Sequence, residues 1–349
     1  MRAFQTGHEE LVHDIKYDFY GRHVATASSD QHVKVFDLDL ATQTWVLNDS
    51  WKAHDSLVVR LLWAHPEFSS FKILALCSYD RTVKIWQEMP DELQGLGRRW
   101  YKLATLAVEL FGPIYDVQFA PPHLGLKLAC VGSDGIVRVY QLVEPADLLV
   151  WELCAEIPIL DLQLPAKSLQ SSFSIEWCPS KFAKTEKFAV IALDQGFAAR
   201  SSDLLDEPSG PSERTPRYVK VCSLPEHNGL IRLVSWAPSM GRSHHLLATG
   251  CKDGYIRIFK AFETASGDLR VETVAKLNDH RQEVWRVEWN ATGTILSSAG
   301  DDGKVRLWKC NYMNEWQCMS EINTSNRQDA RAVLSADDPM YLLRPPASL

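Results

Sequence analysis

Histidine, serine and aspartate recur together along this chain at matching intervals, and that trio is the raw material of nucleophilic catalysis. His54, Ser78 and Asp80 form one set; His8, Ser28 and Asp30 form a second. His227 with Asp253, and His280 with Asp302, repeat the outer members without the serine. Each of these aspartates is followed six residues later by an aromatic: Phe36, Trp86, Phe259 or Trp308. A working triad is needed once, in a cleft. Sets repeated at equivalent places suit a buried polar clamp that every unit of a repeating fold requires.

The sequence carries no other catalytic signature. No G-x-S-x-G elbow, Walker loop or H-E-x-x-H occurs. None of the eight cysteines forms a C-x-x-C pair, so reduced, mostly buried thiols are expected. His244 and His245 are adjacent, and neighbouring strand residues point to opposite faces, so they do not chelate together. The formal net charge of −7 argues against direct nucleic-acid binding. Arg98-Arg99-Trp100 then reads as a loop entering an outer strand. No run of 18 apolar residues exists, so no membrane insertion is expected. The start, MRAFQTGHEE, lacks the apolar core of a secretory signal. No catalytic residue, cofactor or metal site is expected.

The elements that position these residues are short strands. Six segments each open with an alternating apolar stretch ending in an aromatic: Tyr17, Trp63, Phe119, Trp177, Trp236 and Trp289. A turn and a second apolar run follow, then an aspartate: Asp30, Asp80, Asp134, Asp194, Asp253 and Asp302. Five segments continue into a third strand ending in an aromatic, Tyr140 among them; the fourth segment has none. Asp-Gly pairs at 134, 253 and 302 suit the turn between the second and third strands. Stretches such as TWVLNDSW and RRWYKLATL supply a fourth strand. Period-2 alternation in four-strand units, repeated, is the β-propeller pattern.

The expected fold is therefore an all-β, six-bladed propeller over residues 1–322. Its blades fall at about 7–50, 51–106, 107–160, 161–224, 225–277 and 278–322. Residues 199–217, rich in Ser and Pro among charges, are expected to form a disordered loop, and 323–349 a disordered tail.

At this point the chain resembles the WD-repeat family. In that family a His before the first strand, a Ser on the second, the turn Asp and a third-strand Trp share one hydrogen-bonded network. The resemblance implies that repeat two carries all four, as His54, Ser78, Asp80 and Trp86. Repeat one has Phe36, which cannot donate, and repeats five and six lack the Ser. Trp86→Ala is accordingly expected to damage the fold more than Phe36→Ala.

Longer stretches narrow the likeness. HDIKYDFYGRHVATASSDQHVKVFDL, GRRWYKLATL and FAPPHLGLKLACVGSDGIVRVY resemble the small WD-repeat nucleoporins of the nuclear pore's Y-shaped outer-ring complex, of fungal type. So do ATGCKDGYIRIFK and WNATGTILSSAGDDGKVRLWK. The resemblance implies an open ring completed in trans by a β-blade from an α-solenoid nucleoporin. It implies other Y-complex nucleoporins as partners, and support of protein and mRNA transport at the nuclear envelope. It also implies membership of the SEA/GATOR-type complex at the cytoplasmic face of the vacuole membrane, upstream of the TOR kinase. The WD subunit of the COPII outer coat is similar too and stands as an alternative, as does a propeller holding a small ligand in its channel.

If the ring is open, the gap lies between repeats one and six. Candidate residues for partner insertion are Val12, Ile15 and Tyr17 on one side and Val284, Val287 and Trp289 on the other. Alternation separates two faces of each strand without saying which one meets the gap. Asp introduced at Val12 or Val287 is expected to weaken the complex and spare the isolated fold.

Overall fold

The computed structural model describes residues 4–106, 112–144, 147–160, 172–183, 185–202, 217–225, 227–264 and 267–323. Twenty-four strands form six four-stranded antiparallel sheets, each built from four consecutive strands. Blade one holds β1 (Val12–Tyr17), β2 (His23–Ser28), β3 (His32–Asp39) and β4 (Thr44–Lys52). Blade two holds β5 (Val58–Trp63), β6 (Ile73–Ser78), β7 (Val83–Glu88) and β8 (Trp100–Leu106). Blade three holds β9 (Ile114–Phe119), β10 (Lys127–Gly132), β11 (Ile136–Glu144) and β12 (Asp147–Pro158). Blade four holds β13 (Phe173–Trp177), β14 (Lys187–Ala192), β15 (Gln195–Ser202) and β16 (Arg217–Ser223). Blade five holds β17 (Ile231–Trp236), β18 (His245–Cys251), β19 (Ile256–Glu263) and β20 (Leu269–Leu277). Blade six holds β21 (Val284–Trp289), β22 (Ile295–Gly300), β23 (Lys304–Cys310) and β24 (Trp316–Asn323).

The second strand of blades one to five is sandwiched between neighbours and buries nearly every side chain, whereas β22 of blade six is only partly covered. β6, β10, β14 and β18 are buried along their whole length. The turn that follows needs a left-handed residue, which Gly135, Gly254 and Gly303 supply at φ of 68°, 83° and 67°. The preceding aspartate caps that turn, accepting the N–H two residues on: His32, Thr82, Ile136, Tyr255 and Lys304 donate at 3.0–3.2 Å.

Blade four departs from the others. Ala199 pairs with Phe188, the register that Trp86 holds against Leu74 in blade two. The missing bulk is made up by Phe188 and Tyr218, whose rings lie 5.2 Å apart. The loop expected at 199–217 is shorter than the sequence suggests. Residues 199–202 pair with 217–220 as the ends of β15 and β16, and 203–216 lie outside the described residues. Backbone pairing there does not depend on the polar side chains that disguise it. Of the tail, Asn323 closes β24, and 324–349 lie outside the described residues.

The blades pack in succession through their inner strands: β1 on β5, β5 on β9, β9 on β13, β13 on β17, and β17 on β21. β21 and β1 do not join that succession. The ring therefore has a seam between blades six and one. Among the described residues, no strand of one terminal blade completes the sheet of the other.

Candidate functional site

The His–Asp sets are built as clamps, with differences the sequence conceals. His280 Nδ1 meets Asp302 Oδ1 at 2.9 Å and Nε2 meets Ser298 Oγ at 2.7 Å. Trp308 Nε1 donates to the same Ser298 Oγ at 2.8 Å. Blade six thus carries the complete four-residue network. His8 pairs with Asp30 at 2.8 Å and with Thr26 at 2.8 Å, and His227 meets Thr249 at 2.9 Å.

The hydroxyl comes from Thr26, Thr249 or Ser298, two residues upstream of the position expected to supply it. Ser78 instead bonds Leu57 C=O and Asp80 N–H, and Ser28 bonds Glu10 C=O and Asp30 N–H. In blade two the upstream position is Leu76. His54 keeps Asp80 at 2.8 Å, but His54 Nε2 and Trp86 Nε1 are buried without a partner among the described residues. Repeat two, expected to be complete, is incomplete. His227 does not reach Asp253 either. Arg257 takes that carboxylate at 2.6 Å, as Arg138 takes Asp134. The Asp-x-x-x-Arg spacing at 134/138, 253/257 and 302/306 was a legible signal for these pairs.

These clamps hold no reactive nucleophile. Ser298 and His280 are buried, leaving no room for a substrate. Burial lowers the pKa of His54 more than Asp80 raises it. Burial, opposing the hydrogen bonds of His54 and Thr82, fails to keep Asp80 from falling far below the usual carboxylate range. Burial also pushes the Cys130 thiol up to about 12.

Burial, aided by the charge of Arg257, lowers His227 to about 4. The unfolded imidazole takes its proton near pH 6.5, while the folded one resists it. Stability from this residue is fully present above pH 6.5 and is lost as the pH falls towards 4. The loss reaches about 3 kcal/mol. His8, His54 and His245 are lowered too and act in the same direction. Urea midpoints measured from pH 7 to 4.5 should fall, and His227→Gln should flatten that slope.

The central channel contains a cavity of about 340 Å³. Its charges are matched internally. Arg60 lies 3.3 Å from Asp116 and 3.9 Å from Asp14; Gln118 donates to Glu176 at 3.0 Å. Asp14 accepts Leu61 N–H at 3.1 Å, and Asp116 accepts Ile175 N–H at 3.0 Å, so each carboxylate ties its blade to the next. Burial lifts the Glu176 carboxyl to about 8 despite nearby Lys16. The channel-facing carboxylates thus join blades, and no metal-binding cluster occurs among the described residues.

The seam is different. The first and fourth residues of each inner strand normally press against the preceding blade. Val58, Ile114, Ile231 and Val284 hold the first position, fully buried. Leu61, Val117, Val234 and Val287 hold the fourth, also fully buried, and Ile175 of the shorter β13 is their equivalent, two residues before the strand's closing Trp177. In blade one the same positions are Val12, half-buried, and Ile15, 49% exposed. Tyr17, at the position of Trp63 and Trp289, is 45% exposed. The opposite wall is equally uncovered. Ala25, Ala27 and Val33 of blade one are buried against Val58 and Leu61, whereas their counterparts Ser297, Ala299 and Val305 are only half-buried. A cavity of about 300 Å³ lies between the two walls.

This corrects half of the expected insertion set. Val284 and Val287 face away from the seam and pack on Leu233, Ala248 and Ile258 of blade five. Trp289 turns the same way and donates to Ser235 C=O at 3.2 Å. The blade-six wall is formed by Ser297, Ala299 and Val305, small residues that no apolar pattern singled out.

Comparison with known proteins follows the same lines. The WD domain, G-beta repeat family model matches residues 2–37, 218–260 and 271–309. These segments carry His8, His227 and His280, the clamp histidines whose Nε2 meets a hydroxyl of the second strand. Nucleoporin SEH1 of Saccharomyces cerevisiae is 48% identical over 361 residues, covering 92% of this chain and 99% of the relative. Nucleoporin seh1 of Schizosaccharomyces pombe is 36% identical, covering 94% and 97%. Nucleoporin SEH1 of Homo sapiens is 39% identical, covering 94% and 91%. The chain belongs to the nucleoporin SEH1 family of WD-repeat β-propellers.

Proposed function

We propose that this chain is a non-catalytic structural subunit of the nuclear pore's Y-shaped outer-ring complex, and that a partner completes its ring at the seam. The observation that carries the reading is the exposure of Ile15, at a position that is fully buried in the inner strand of every other blade, with Tyr17 45% exposed beside it. A blade entering there covers both walls, and each apolar side chain it buries contributes about 1.5–3 kcal/mol. The donor is an α-solenoid nucleoporin, which adds β-structure without nucleotide or metal. The relatives' shared name supports assembly with other nucleoporins and a place at the nuclear envelope, where the subunit serves transport of protein and mRNA. The same name favours the pore over a COPII-type coat. Membership of a SEA/GATOR-type complex at the vacuole, acting on TOR signalling, belongs to the same proposal and uses the same seam.

Hydrogen exchange on the isolated chain and on the complex purified from its source tests this. Protection on assembly is expected in β1, β22 and β23. Protection confined to blades three and four sinks the reading. Ile15→Asp should abolish co-purification of the partner while the isolated variant melts within about 1 kcal/mol of the parent, because a half-exposed site hydrates the new charge.

A further inference from the structure

The seam is open on its outer side and shut at the channel. Two ion pairs cross it there. Arg286 reaches Asp14 Oδ1 at 2.7 Å and also donates to His13 C=O at 3.1 Å. Lys16 reaches Glu288 at 2.6 Å. Other junctions are built more rigidly. Trp63 Nε1 donates to Lys16 C=O at 3.0 Å, and the Asp14 carboxylate holds Leu61 N–H. Across the seam, long flexible side chains do the holding.

These four side chains themselves fill the channel side of the space between β1 and β21, where another inner strand, set about 4.8 Å from a paired neighbour or about 10 Å from a packed sheet, would place its own side chains. The ion pairs and an inserted inner strand exclude each other. We infer that Asp14–Arg286 and Lys16–Glu288 are a latch that closes the channel side of the empty seam and that an incoming strand must displace. This rests on the seam being the partner site.

The latch is built to open. Asp14 keeps Arg60 and the Leu61 N–H when Arg286 leaves, so its buried charge is never abandoned. Lys16 and Glu288 are 29% and 53% exposed, so water takes over when they part. The displaced charges also define the newcomer. One channel-facing position of its inner strand falls between Arg286 and Asp14, and the next, two residues on, falls between Glu288 and Lys16. Each site has a donor on one side and an acceptor on the other. The entering strand therefore carries polar side chains that both donate and accept at these two positions, with apolar residues on its flanking faces.

Zero-length carbodiimide coupling reads the latch directly, because it joins an amine to a carboxylate only where they touch. In the isolated chain, peptide mass spectrometry should find a Lys16–Glu288 amide, absent from Lys16→Arg, whose guanidinium does not couple. In the purified native complex that cross-link should be lost. Its absence from the isolated chain, or its persistence in a complex whose β1 is protected from exchange, overturns the latch alone. Persistence together with an unprotected β1 overturns the seam reading as well. Glu288→Gln should speed association with the partner; an unchanged or slower rate counts against displacement as the opening step.

Discussion

Replacing Val287 with aspartate is expected to cost about 3–5 kcal/mol or more, because a carboxylate is forced between blades five and six without a counter-ion. Val287 is fully buried among Leu233, Ala248 and Ile258, and its methyl lies against Gly250. The variant should express as an unfolded or aggregated chain, and chemical denaturation of any soluble fraction should show the lowered midpoint. Ile15→Asp occupies the equivalent position in blade one, with no neighbour on that side. One substitution at two equivalent positions thus separates the fold from the interface. Equal stability losses for the two variants would remove the case for an open seam.

Trp308→Ala should lower stability by about 3–5 kcal/mol, the range for deleting a fully buried aromatic. Trp308 is 1% exposed, and its indole N–H is the donor that completes the blade-six network through Ser298. Trp308→Phe keeps most of the ring and removes that donor, so about 1–2 kcal/mol of the loss should remain. Trp86→Ala should cost less than Trp308→Ala. Trp86 is half-buried, and its N–H has no partner among the described residues to forfeit. Urea melts of the three variants under one condition decide the order. A larger loss for Trp86→Ala would restore the view that repeat two is the complete one.

The error over repeat two has a plain physical source. Residues 76 and 78 lie on the same face of β6, so alternation cannot say which of them the histidine reaches. The reach depends on where His54 enters from the preceding loop, which is a three-dimensional quantity. Its ring arrives level with Leu76, and Ser78 is left to cap the turn. The Asp–Arg pairs had a signature at fixed spacing and were readable from it. The pairing of Arg257 with Asp253, at His227's expense, was decided by competition for one carboxylate.

Local chemistry in the chain itself determined the strands, the aspartate-capped turns and the count of six blades. Period-2 alternation, Asp-Gly pairs and aromatic strand ends act over a few residues, so they are legible wherever they occur. Val12, Ile15 and Tyr17 were legible as apolar strand residues, but alternation alone puts Val12 on the opposite face from the other two, and the register shift between Val12 and Asp14 lies outside that pattern. Which neighbour each face meets was decided only by tertiary structure. Val287 and Ile15 occupy the same place in the same repeat, and nothing in their own segments distinguishes them. One is buried because blade five precedes it, and the other is bare because blade one has no predecessor packed against it. The latch belongs to the same class. Asp14 and Arg286 stand 272 residues apart, and ring curvature alone brings them to 2.7 Å.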